Sequence, residues 1–130
     1  EVGLAPTVDA RGEVVGEDNA RAFLWKRGLA VELKLPAGNW TGSSAADINE
    51  FGTIVGWHWG ADKGGAMRWT DPAQPGLDLN TLLSPEDVAA GWILGQAIRV
   101  NRQGSVLGYA SNPSRCFGCA VHSFLLERND

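Results

Sequence analysis

The sequence predicts an all-β fold built from three tandem antiparallel meander units, and three observations predict it. First, one turn block occurs three times. Val8-Asp9-Ala10-Arg11-Gly12-Glu13-Val14-Val15-Gly16 returns 40 residues later, from Ile48 to Gly56, and again 52 residues further on, from Val100 to Gly108. Second, aligned hydrophobic blocks follow each copy: Ala22-Phe23-Leu24-Trp25, Ala66-Met67-Arg68-Trp69 and Ser123-Phe124-Leu125-Leu126. Third, Gly, Asn, Asp and Pro punctuate short apolar runs throughout, the pattern of strands joined by tight turns. A chain of 130 residues suits one domain, so the units run roughly 1–35, 36–83 and 84–130.

Each turn block reads as a strand end, a turn with Gly in the left-handed region, and a β-branched strand leaving it. Gly12, Gly52 and Gly104 therefore take positive φ, and 13–17, 53–59 and 105–110 form strands. After the hydrophobic block, units one and two carry an acidic residue and Leu, at Glu32-Leu33 and Asp78-Leu79. Trp40 precedes Ile48 by the same interval as Trp92 precedes Val100. Trp25, Trp69, Trp40 and Trp92 recur between units and are expected in the core, as stacked repeats bury what they share. One helix breaks the pattern. Ser84 is its N-cap, Pro85 its first residue and Gly91 its stop, with Glu86 and Asp87 in the first turn.

The alternation of an Ile-Asn-x-x-Gly-x-Val-Val-Gly turn with a His-Ala-Phe-Leu-Trp strand resembles the HAF-type extracellular repeats of bacteria. The likeness covers nearly the whole chain in three units. Arg21 and Gly65 stand where that pattern has its first His, His122 keeps it, and Met67-Arg68 replaces Phe-Leu. The resemblance implies an exported blade-like β-repeat, secreted, periplasmic or at the cell surface, with no catalytic residues to carry over. Three propeller-blade-like units fall short of the roughly 4–8 blades that close a propeller. The chain would then associate, as a homo-oligomer or with further repeats. The alternative is a β-trefoil-like closure into a compact monomer. The third unit lacks its last strand, and residues 1–8 are the candidate to supply one by pairing with it.

Composition excludes several function classes. Eleven Lys and Arg against fifteen Asp and Glu leave a net charge of -4, unsuited to a phosphate backbone. No apolar run nears the ~18 residues of a membrane span. Six Trp and four Phe are too much apolar mass for a disordered chain. The chain begins at Glu1 without a signal-like segment, which reads as processing or truncation. No G-x-S-x-G elbow, H-E-x-x-H helix or phosphate-cradling Gly loop occurs, and carboxylates such as Asp9, Asp47, Asp62 and Asp78 are scattered. No catalytic residue, metal ligand set or cofactor is assigned.

Two features remain as candidate sites. Trp57 and Trp59 align with Glu17 and Asn19 in unit one, and with Tyr109 and Ser111 in unit three. Blade packing does not require Trp there. Strand alternation puts both on one face and His58 on the other, so Trp57, Trp59 and Tyr109 are candidates for a glycan platform, a protein contact or local packing. Cys116 and Cys119 form a C-x-x-C in the loop between Tyr109 and His122. A short-loop disulfide suits an exported chain; free thiols, or zinc with His122 and a missing fourth ligand, are the other readings. The function expected is a non-catalytic module acting in binding or as a structural unit, with a lectin-like domain or an unrecognised enzyme as alternatives.

Overall fold

The computed structural model describes residues 7–8, 12–61, 64–112 and 122–127. Three antiparallel sheets follow one another along the chain. The first is β1 (Thr7–Val8), β2 (Val14–Asp18), β3 (Arg21–Lys26) and β4 (Leu29–Glu32) in sequence order. The second is β5 (Gly42–Ile48), β6 (Ile54–Trp59), β7 (Gly64–Trp69) and β8 (Leu77–Asp78), again in order. The third is β9 (Ile93–Val100), β10 (Val106–Ser111) and β11 (His122–Leu126). The all-β meander architecture is thus present, one sheet per unit.

The repeat holds down to ladder register. Val8, Val14 and Trp25 stand side by side across the first sheet. Ile48, Ile54 and Trp69 do so in the second, and Val100, Val106 and Leu126 in the third. These residues align at equal places in the repeat. Their turns agree as well: Gly12, Gly52 and Gly104 have φ of 79°, 86° and 92°. In units two and three an Asn organises the turn. Asn49 Oδ1 accepts from the Phe51 and Thr53 amides, and Asn101 Oδ1 accepts from the Ser105 amide.

The core lies between sheets. One buried cluster joins Val15, Ala22, Leu24 and Leu33 of the first unit to Ala45, Ile48, Ile54, Met67 and Trp69 of the second. Another joins Val55, Ala66 and Leu79 to Leu94, Ala97, Val100, Val106 and Ala110 of the third unit. No buried cluster joins the first and third units among the described residues. The sheets stack in chain order and form no closed barrel, so the β-trefoil alternative does not describe this fold. The expected strand swap is also corrected. Thr7–Val8 pair with β2, in their own unit, and not with the third sheet.

The helix α1 (Pro85–Ala89) forms where the sequence places it. Ser84 Oγ accepts from the Asp87 amide, and Gly91 follows with φ 94°. A 3-10 helix over Leu79–Leu82 was not legible in the sequence; Asp78 caps it by accepting from the Asn80 amide.

The shared tryptophans divide. Trp69 is buried, and its Nε1 donates to the Lys34 carbonyl at 2.7 Å. Trp25, Trp40 and Trp92 are only half-buried, which corrects the expectation that all four are core. Trp25 holds the position of Trp69, but neither buried cluster of the described residues includes it. Trp40 and Trp92 lie just before β5 and β9 in connecting segments, where each packs on a histidine; Trp92 also packs against the edge of the second core cluster.

Candidate functional site

The two candidate tryptophans sit on β6, which is flanked on both sides by β5 and β7. Trp57 lies opposite Ser44 and Ala66, and Trp59 opposite Gly42 and Gly64. Both are half-buried, while His58 between them is buried, as strand alternation requires. The Trp59 ring lies over Gly42 so closely that a Cβ at that position would collide with it. The pair therefore does not present a freely exposed flat platform. Tyr109 holds the ladder place of Trp57, opposite Gln96 where Trp57 faces Ser44, and is 46% exposed. It borders a cleft of about 480 Å³ with Gly95, Gln96 and Ser111. Cys116 and Cys119 lie outside the described residues, as do Asp9 and Asp62.

The structure draws together residues that the sequence left apart. Trp40 and Asp78 line a depression of about 600 Å³ together with residues 36–39, Gly60 and Ala61. The Trp40 ring packs on the His58 imidazole with centroids 4.1 Å apart, and Trp40 Nε1 donates to the Pro36 carbonyl. His58 Nδ1 lies 2.9 Å from the Gly65 carbonyl oxygen. A carbonyl can only accept, so Nδ1 carries the proton and donates it. In the neutral ring the lone pair then sits on Nε2. That atom is buried without a hydrogen-bond partner and faces Asp78 Oδ2 at 3.9 Å. This separation is too long for a direct hydrogen bond. The other Asp78 oxygen is occupied by the amide and side-chain nitrogens of Asn80. Asn80 in turn exchanges hydrogen bonds with the Leu94 backbone, tying the site to the third sheet.

The third unit carries a related arrangement on the opposite strand. His58 pairs across the ladder with Gly65, and Ala110 pairs with His122. These are one repeat position with the histidine exchanged between its two strands. In both units the preceding Trp packs on that His, Trp40 on His58 and Trp92 on His122 at 5.3 Å. In the first unit the same place holds Asp18 and Arg21. The recurrence of Trp40 and Trp92 was the only available sequence signal, because the His exchange breaks linear alignment.

Nε2 of His58 is buried, whereas the Asp78 side chain it faces is partly exposed. Among the described residues no cluster of three or more His, Cys, Asp or Glu is positioned to bind a metal ion. Ser43 stands opposite His58 on β5, and its Oγ accepts from the Ala22 amide. The chain matches no family model, no curated protein and no solved structure.

Proposed function

We propose that this chain is a non-catalytic β-repeat module of an exported bacterial protein, working through binding and assembly. The observation that carries the reading is where its polar side chains act. Asn49 Nδ2 donates to the Asn101 carbonyl, Asp47 Oδ2 accepts from the Val100 amide, and Arg102 pairs with Glu50 at 3.0 Å. Asn49 and Asn101 are equivalent residues of successive units, and so are Glu50 and Arg102. These polar side chains join one repeat to the next. The resemblance to HAF-type repeats supports the exported assignment.

The test is a substrate screen on the purified chain with chromogenic esters, phosphoesters and glycosides. No turnover above the buffer rate is expected. Turnover that vanishes in His58→Ala while the fold survives would overturn the non-catalytic reading.

A glycan-binding reading has one observation in its favour. The depression beside Trp40 offers an aromatic ring and the Asp78 carboxylate, the two group types that hold a sugar ring. Glycan-array binding that is lost in Trp40→Ala and kept in Trp57→Ala would support it at this place.

A further inference from the structure

The two ends of the stack are unlike each other, and each is made like one side of an interface already present inside the chain. Val15, Val55 and Leu107 are equivalent positions on the second strands of the three sheets, paired with Leu24, Arg68 and Leu125. Val15 lies in the cluster that the second sheet covers, and Val55 in the cluster that the third sheet covers; each is 0% exposed. Leu107 is 46% exposed and Leu125 60%. Tyr109 continues the same face by strand alternation. An apolar face of this kind is buried twice in the molecule and left open once.

The opposite end shows the complementary half. Ile48, Ile54 and Trp69 form the face that the second sheet turns to the first. Val100 and Val106, with Leu126 packed against them, form the face that the third turns to the second. The equivalent row on the first sheet is Val8, Val14 and Trp25. Val8 is 61% exposed, Val14 and Trp25 are half-buried, and Phe23 stacks on Trp25 at 5.6 Å. Repeat stacks that end in solvent carry polar outer faces on their terminal units. Here both outer faces are mixed: Arg99 and Gln96 stand opposite Leu107 and Tyr109, and Arg21 pairs with Glu32 at 2.8 Å beside Phe23, yet Val8, Leu107, Tyr109 and Leu125 stay exposed among them.

We propose that the outer face of the third sheet, centred on Leu107, Tyr109 and Leu125, docks the Val8–Val14–Trp25 face of a second copy of this chain. The contact is head-to-tail. It continues, between molecules, the unit-to-unit packing that exists twice within one molecule. Such a heterologous contact propagates to a ring if the rotation closes and to a filament if it does not. The inference rests on the repeat-module reading and adds to it the partner and the surface.

Light scattering after size exclusion, run over a concentration series, reads the outcome. The 130-residue chain should rise in mass with concentration. Leu107→Glu/Leu125→Glu alters one face and Val8→Glu the other; all three positions are exposed, so each variant should keep the wild-type circular dichroism spectrum and unfold cooperatively. Each variant alone should be monomeric. Mixed in equal amounts, they retain one intact pair of faces and should form a one-to-one dimer that grows no further. A wild-type chain that stays monomeric overturns the proposal. So does a chain whose association survives Val8→Glu, because that contact would be between two like faces. Monomeric behaviour without catalysis defeats the docking inference alone, whereas His58-dependent turnover defeats the module reading alone.

Discussion

Asn49 donates a 3.0 Å hydrogen bond from Nδ2 to the carbonyl oxygen of Asn101, its own equivalent in the following repeat. The same side chain accepts two amides of its own turn through Oδ1. One buried amide group thus closes a turn and joins two units. Asn101 closes its turn in the same way, but its side chain is exposed.

The two turns should therefore respond unequally to truncation. Asn49→Ala removes three hydrogen bonds at a buried position and is expected to cost about 2–3 kcal/mol. Asn101→Ala removes one exposed bond and leaves the carbonyl that Asn49 uses, for a cost of about 1 kcal/mol. Urea denaturation of both variants measures the difference, and equal losses would contradict the asymmetric role.

Trp69 and Trp25 share a repeat position and differ in cover. Trp69→Ala empties a fully buried site and frees the Lys34 carbonyl, so a loss of about 3–5 kcal/mol is expected. Trp25→Ala should cost about half as much in the monomer, because its ring is already partly in water. Chemical denaturation at a concentration where the chain is monomeric is the appropriate measurement.

Two backbone positions should move stability in opposite directions. Ala20 sits at φ 62° in the two-residue turn Asn19-Ala20 between β2 and β3. A Cβ is unfavourable in that region, so Ala20→Gly is expected to stabilise by about 1 kcal/mol. Gly52→Ala imposes the same conflict at φ 86° and should destabilise by about 1–2 kcal/mol. Thermal unfolding of both variants should show midpoints on either side of the wild type.

His58 and Asp78 can be tested for direct coupling. His58→Ala opens a cavity and leaves the Gly65 carbonyl unpaired, an expected loss of about 2–4 kcal/mol. Asp78→Ala removes a helix cap, an expected loss of about 1 kcal/mol. Nε2 and Oδ2 stand 3.9 Å apart, in side-chain contact, so the double mutant should depart from additivity by about 0.5–1 kcal/mol. Strict additivity would mean that the two side chains do not support each other.

The sequence by itself determined what is local. The three turns, the strands leaving them, the β6 alternation of Trp57, His58 and Trp59, and the helix after Ser84 all follow from backbone preferences and short-range hydrogen bonds within a few residues. Internal repetition also identified which residues are equivalent, and the ladder registers agree with it. Tertiary structure decided which equivalent residues are covered. A strand pattern of period two separates two faces without saying which of them meets another sheet. Val15 and Leu107 have the same local surroundings and opposite exposure, because a sheet follows the first unit and none follows the third among the described residues. The meeting of Trp40, His58 and Asp78 was decided in the same way. It depends on β8 folding back to pair with β7 and on a connecting segment laying its indole across β6. Contacts between residues far apart in the chain arise from sheet packing, and linear spacing carries no record of them.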